Sequence, residues 1–247
     1  MAWVLDLDGV IWLGKKAIPG SAEAVNRLQE SGEQVLFVTN NSGRAVEDVE
    51  AKLAGFGIEA RDGIITSAMA AARLVESGER VLGLCGPGTI EELKKRQAIV
   101  VQEGFADTVV VGFHEDFDYW RLTAGLQALD KGARLVATND DVTYPSDDGI
   151  RPGAGSILAA LVAGSGVIPE VAGKPYESMC SLIRDSVEGE GIVVGDRPDT
   201  DGALARNLEW DFALVLSGVV KKTDLPVDPV PDVVSEDLAG VVESFFE

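Results

Sequence analysis

Two aspartates, Asp6 and Asp8, close an apolar run that starts at Ala2-Trp3-Val4-Leu5. In an extended chain residues i and i+2 point the same way, so a strand here delivers two carboxylates to one sheet edge. Like charges so placed need something positive between them, either a hard divalent cation or a phosphate chemistry that uses one. The same residues also fit an Asp-rich turn in which Gly9 supplies the bend, and the pair alone leaves both readings open. Three later segments carry related chemistry. Thr39-Asn40-Asn41-Ser42 ends the apolar run Gln34–Val38. Hydroxyls and amides at a strand end, ahead of a helix, make an anion site from side-chain donors and free backbone N–H groups. Asn41 or Ser42 can equally serve only to cap that helix. Gly173-Lys174-Pro175 confines a lysine between Gly and Pro, which reads as a fixed point charge or as a solvated surface residue. Ile192-Val193-Val194 leads into Gly195-Asp196-Arg197-Pro198-Asp199-Thr200-Asp201, three acids within six residues beside a buried run. Thr200 or Asp201 is also placed to cap the next helix.

These residues need a scaffold that gathers strand ends. Strand-length apolar runs occur at 3–5, 34–38, 81–84, 108–111, 135–137, 192–194 and 212–216. Helix-period segments lie between them, with start signals at Ser21, Ser67 and Thr89. Strand–helix alternation predicts a parallel sheet covered on both faces, with ligands outside the carboxyl ends of the strands. The Pro-rich stretch 225–231 reads as an exposed connection before the last helix.

Composition narrows the function classes. The 247 residues suffice for one large domain or two modest ones, and 46% hydrophobic with 25% charged residues is ordinary for an α/β protein. The net charge of −20 argues against a nucleic-acid surface, which needs Lys/Arg patches. No apolar run approaches the ~20 residues that span a bilayer, and the N-terminus reads as a strand rather than a signal peptide. Cys85 and Cys180 lie far apart without metal-ligand spacing, as expected of reduced thiols in the cytoplasm. His114, the only histidine, reads as a surface residue, and a histidine metal cluster is excluded by inspection.

The segments DLDGV at Asp6, TNNS at Thr39, GKP at Lys174 and GDRPDTD at Asp196, in this order, resemble the haloacid dehalogenase-like hydrolase superfamily. A fifth, Val215-Leu216-Ser217-Gly218-Val219, resembles its subfamily IIA, the NagD-like, p-nitrophenyl phosphatase and phosphoglycolate phosphatase branch with a C2-type cap. The resemblance implies an α/β fold: a Rossmann-like doubly wound parallel-sheet core, residues 1–79 and 172–247, with an α/β cap domain inserted over 80–171. It implies a Mg²⁺-dependent phosphatase acting on small phosphate monoesters, such as phosphoglycolate, glycerol phosphate or p-nitrophenyl phosphate, through an aspartyl-phosphate. Asp6 matches the nucleophile and Asp8 the general acid and base. Asp6, the Asp8 carbonyl and Asp196 match the Mg²⁺ ligands, and Thr39, Asn40 and Lys174 the phosphate-binding residues. Asp201 and Asp199 match supporting positions behind the metal and Lys174. The partner implied is a phosphorylated metabolite, with no nucleic acid or membrane, and caps of this branch leave room for a homodimer. After Asp201 the family usually continues with a branched apolar residue, where Gly202 and Ala203 stand here.

Two other functions fit the same residue types. A phosphoacceptor signalling module also gathers acids, Thr and Lys at strand ends, but has no use for Asp8 as an acid. A binding protein of this fold without turnover predicts missing acids, and none is missing. Substrate choice is expected to lie in the cap, where Asn139, Asp141, Tyr144 and Arg151 are candidates, each equally readable as a loop residue.

Overall fold

The computed structural model describes residues 1–146 and 149–247. The chain forms two compact units, one of Met1–Thr39, Glu47–Ile65 and Lys174–Glu247, the other of Asn40–Val46 and Thr66–Gly173. Residues 66–79, expected with the core, group with the inserted unit. Two hydrogen bonds tie them there: the Ser67 hydroxyl donates to the Asn40 carbonyl at 2.7 Å, and Arg134 donates to the Leu74 carbonyl at 3.1 Å.

The first unit is built on a six-stranded sheet, in spatial order Val233–Ser235, Asp211–Val215, Gly191–Gly195, Ala2–Leu5, Gln34–Thr39 and Ile64–Thr66. Ala2–Leu5 lies parallel between Gly191–Gly195 and Gln34–Thr39, with Trp3 opposite Ile192 and Val35. All four of its residues are buried. That is why it reads as an unbroken apolar run and not as an alternation. The order runs outward from the first strand and resumes on its other side, so the strand order reverses beside Ala2–Leu5, the place where such sheets bind ligands. Helix Ser21–Glu30 packs against Leu238–Phe246, where Trp3 meets Phe245 edge-on with ring centroids 5.1 Å apart.

The second unit holds a five-stranded parallel sheet, in order Glu170–Val171, Arg134–Ala137, Thr108–Val111, Arg80–Leu84 and Ile99–Val101. Leu82, Leu84, Val109, Val111, Leu135 and Leu161 are buried together at its core. The four strands that the apolar runs do not announce, Ile64–Thr66, Ile99–Val101, Glu170–Val171 and Val233–Ser235, are the four edges of the two larger sheets. None exceeds three residues. A run that short carries no periodicity, and only an existing neighbour makes it a strand.

The helix-start hydroxyls take other partners. Helix Ser21–Glu30 starts after Gly20, and the Ser21 hydroxyl donates to the Ile11 carbonyl at 3.1 Å. Thr66, not Ser67, caps Ser67–Arg73 by accepting from the Met69 N–H. Thr89 lies inside helix Pro87–Lys95 and donates to the Ser42 carbonyl at 2.9 Å. Ser42 is itself buried, and its hydroxyl oxygen accepts from the Phe113 N–H and the Thr138 hydroxyl. The helix that follows begins only at Val46. Neither Thr200 nor Asp201 caps Ala203–Leu208, which starts behind Gly202 with no side-chain cap. A buried hydroxyl costs about 1–3 kcal/mol when left unpaired. Ser21, Ser67 and Thr89 meet that need by donating to carbonyls distant in sequence, and Ser42 by accepting from Phe113 and Thr138.

Gly88 shows how tightly the inserted unit closes on its own strand-end segment. A Cβ there would stand 2.0 Å from the Arg44 carbonyl oxygen. Gly88→Ala is expected to cost about 1–3 kcal/mol in urea unfolding, because backbone must shift to admit the methyl group. Gly55→Ala, where a Cβ meets nothing within 4 Å, is the matched control and should be neutral or slightly stabilising.

Candidate active site

Asp6 follows the central strand Ala2–Leu5, and its N–H donates to the Val194 carbonyl at 2.9 Å. Asp196 follows the neighbouring strand Gly191–Gly195, and Thr39 ends the strand on the other side, Gln34–Thr39. Three adjacent parallel strands thus bring a carboxylate, a carboxylate and a hydroxyl to one edge of the first unit. Lys174 re-enters this unit from the long insertion and is buried. Its ammonium lies 2.7 Å from Asp6 Oδ1 and 2.6 Å from Asp201 Oδ1, with the Val38 carbonyl oxygen at 3.5 Å. Asp201 comes from a π-helical turn over Pro198–Gly202, a wide turn that aims its side chain inward. The second Asp201 oxygen accepts from the Arg197 N–H at 3.1 Å. The buried lysine is therefore a shared counter-charge for two buried carboxylates.

The electrostatics follow from burial. Burial is the largest influence on Asp6 and pushes it well above the usual carboxylate range; Asp201 and Asp196 push the same way, and Lys174 opposes them. Asp196 is raised to about 6 by burial and by Asp201, against the Val219 N–H, Lys174 and Arg197. For Lys174, burial disfavours the charge, but the carboxylates of Asp201 and Asp6 outweigh it and hold the ammonium above its ordinary value.

Carboxylate oxygens of Asp6, Asp196 and Asp201 lie within 4.8 Å of one another. The chemistry of this set fits a hard divalent cation, which takes oxygen ligands. Asp196 carries the sharper sign. Its Oδ2 accepts from the Val219 N–H at 2.6 Å, while its buried Oδ1 has no hydrogen-bond partner among the described residues. A buried, unpaired, anionic oxygen is costly unless a cation completes it. Backbone has been cleared to make room for this carboxylate. A Cβ at Gly9, whose φ is +90°, would stand 2.4 Å from Asp196 Oδ2, and one at Gly218 1.8 Å from it. The Ser217 hydroxyl donates to the Gly9 carbonyl at 2.6 Å. The segment 215–219, singled out only by resemblance, thus shapes the seat of Asp196.

The remaining predicted residues are placed differently. The Asp8 side chain is exposed, and its Oδ1 accepts from the Trp12 indole N–H at 2.9 Å. Asp199 is exposed too and stands outside the carboxylate cluster, paired with Arg197 at 3.0 Å. Asn40 belongs to the second unit, where its amide donates to Asp141 at 3.0 Å and its carbonyl accepts from Asn139 at 2.7 Å. Asn139 and Asp141, considered as substrate readers, therefore both bind Asn40. Tyr144 stacks edge-on with Phe113, and Arg151 faces Glu115 at 3.6 Å. His114 is not the surface residue expected: it is half-buried, its Nε2 has no partner among the described residues, and burial lowers its basicity. Sequence reasoning missed Trp12 as a partner of Asp8. The only available signal was its position four residues on, across the turn begun by Gly9.

The raised carboxylates make a signed prediction. A group whose pKa is higher folded than unfolded contributes stability below its unfolded value and loses it as pH rises through the folded one. For Asp196 that loss runs from about pH 4 to just above about pH 6. In EDTA, Asp196→Asn should melt above the parent protein at pH 8, by up to about 3 kcal/mol, and the gap should close by pH 4. Thermal melts across this range check it; a gap independent of pH would contradict the assignment.

Among known proteins, the model of the haloacid dehalogenase-like hydrolases matches residues 3–98, and a second, HAD-hydrolase-like model matches 171–241. An acid sugar phosphatase of Staphylococcus saprophyticus is 32% identical over 98% of this chain and 96% of its own length. The solved p-nitrophenyl phosphatase of Archaeoglobus fulgidus superposes with a TM-score of 0.91 at 32% identity, covering 98% of each chain. The glycerol phosphate phosphatase of Mycobacterium tuberculosis, solved with calcium, has a TM-score of 0.90 at 30% identity over 97% of this chain and 74% of its own. Its magnesium complex has a TM-score of 0.88 at 31% identity, over 96% and 75%. With this likeness running along nearly the whole chain, and with the acids and the lysine meeting at the strand ends, the protein belongs to the haloacid dehalogenase-like hydrolase superfamily, among relatives of its subfamily IIA.

Proposed function

We propose that the chain is a Mg²⁺-dependent phosphatase that hydrolyses small phosphate monoesters through an aspartyl-phosphate on Asp6. The observation that carries this reading is the pairing of two features at one strand edge. Asp6 is held at one oxygen by Lys174, and beside it Asp196 presents a buried carboxylate oxygen that no donor among the described residues satisfies. The relatives, named for sugar phosphates, glycerol phosphate and p-nitrophenyl phosphate, support the substrate class.

Asp6, the Asp8 carbonyl and Asp196 would hold the ion. When bound, Mg²⁺ supplies positive charge against the repulsion between a carboxylate and a phosphate. In the first step an Asp6 carboxylate oxygen forms a bond to phosphorus while the bond to the leaving oxygen breaks. Asp8 gives its proton to that oxygen, and an alcohol departs. In the second step water attacks the same phosphorus, Asp8 takes the water's proton, and the Asp6–phosphorus bond breaks to release inorganic phosphate. Thr39 and the adjoining Asn40 N–H donate to phosphoryl oxygens. Lys174 offsets charge that builds on the phosphoryl group, and Asp201 holds the ammonium in place. Each part places charge, which is the main protein contribution in phosphoryl transfer.

Purified protein with Mg²⁺ should release p-nitrophenol from p-nitrophenyl phosphate. Asp6→Asn should lower the rate by at least about 10³-fold with the fold intact by circular dichroism. Activity retained in Asp6→Asn would overturn the nucleophile, and undiminished activity in excess EDTA would overturn the metal. Phosphate release from sugar phosphates, glycerol phosphates, phosphoglycolate and nucleoside monophosphates then ranks the natural leaving group.

A further inference from the structure

The short hairpin after the nucleophile strand presents an indole to the general acid. Trp12 pairs with Ala17 in the antiparallel ladder Trp12–Leu13/Lys16–Ala17. Its own backbone is fixed on both sides: its N–H donates to the Leu7 carbonyl at 3.1 Å, and its carbonyl accepts from the Gly9 N–H at 2.7 Å. The ring is buried, with only 3% of the residue exposed, yet it turns its one polar atom to the exposed Asp8. Lys52 stands over the ring, its ammonium 3.6 Å from the centroid, and is tied to the hairpin by donating to the Gly14 carbonyl at 2.9 Å. Phe56 packs against the indole at 6.1 Å. Backbone, cation and aromatic neighbour surround the indole, and its N–H ends on Asp8 Oδ1.

We infer that Trp12 is the positioning residue of the general acid: its indole N–H holds Asp8 Oδ1 and so sets the direction in which the Asp8 carboxyl meets the leaving group. A cation over the indole face draws electron density from the ring and strengthens the N–H as a donor. A general acid contributes only when its proton faces the leaving oxygen, so a fixed hydrogen bond to its carboxyl bears directly on its efficiency. The inference rests on the reading of Asp8 as general acid and goes beyond it in assigning what aims that acid.

The test uses the leaving group, because a residue that only stabilises the fold acts on all substrates alike. An alkoxide must be protonated as it departs, whereas p-nitrophenolate is stable enough to leave unaided. The value of kcat/KM reports the phosphoryl-transfer half of the cycle, where the acid acts. In Trp12→Phe, kcat/KM for glycerol phosphate should fall roughly tenfold or more, while that for p-nitrophenyl phosphate changes less than about threefold. Installing 3-benzothienylalanine at position 12 by codon suppression replaces the N–H with sulfur in a ring of the same shape. It should reproduce the selective loss, and so covers the case in which Trp12→Phe folds poorly. Asp8→Asn is measured alongside. If Asp8→Asn shows the leaving-group bias and the position-12 variants lose both substrates equally, or lose neither, the role of Trp12 is overturned while that of Asp8 stands. If Asp8→Asn shows no bias, the reading of Asp8 falls and the inference falls with it.

Discussion

The site depends on one interaction, the burial of Lys174 between Asp6 and Asp201 at 2.7 and 2.6 Å. Burying a carboxylate is costly, and burying several side by side is costlier unless a charge of opposite sign is buried with them. A lone ammonium on a long flexible stem would ordinarily seek water. Here it comes to rest where two carboxylates converge, and each group is tolerable inside the protein because the others are there. Lys174 also begins the segment that returns to the first unit after the insertion. The same charge pairing therefore ties the third stretch of this unit to the first, and electrostatics and topology impose one requirement.

Asp196 stands apart from that pairing. The Val219 N–H satisfies one oxygen and nothing among the described residues satisfies the other, while Gly9 and Gly218 yield the space a side chain would take. A folded chain tolerates such a group when something it binds completes it. Local instability and cation affinity are two aspects of the same carboxylate, a common arrangement at sites tuned by burial. Lys174 is paired directly with Asp6 and Asp201; Asp196, with one oxygen lacking a hydrogen-bond partner among the described residues, is left to receive a charge.

Much of this is legible in the amino-acid sequence. The central strands announce themselves because burial on both faces demands unbroken apolar runs, and their carboxyl ends carry Asp6, Thr39 and Asp196 in plain view. The edge strands are not legible, since three residues leave no pattern and their conformation is borrowed from a neighbour. Hydroxyls mislead in a consistent way. Ser21, Ser67, Thr89 and Ser42 each stand where a cap is plausible, yet each meets a partner far away in sequence or within the buried sheet ends. Local spacing cannot reveal a buried carbonyl that needs a donor from across the unit. Asn139 and Asp141 belong to the same class: polar residues near a supposed substrate that the fold uses to fasten Asn40.

The sequence by itself determined the residue inventory, the family and the strand ends that carry the acids, because these depend on local polarity and on motif order. By resemblance it set Asp196 with the metal and both Asp201 and Asp199 behind it, and it gave Trp12 no role. Only the tertiary structure fixed their surroundings. Asp201 turns inward to Lys174, Asp199 outward to Arg197, Asp196 keeps an oxygen without a partner among the described residues, and Trp12 reaches Asp8. The physical reason is that a carboxylate's role is set by its solvation and its nearest charge. Both are properties of three-dimensional neighbours that lie 27 residues away for Asp201 and Lys174, and 168 for Lys174 and Asp6.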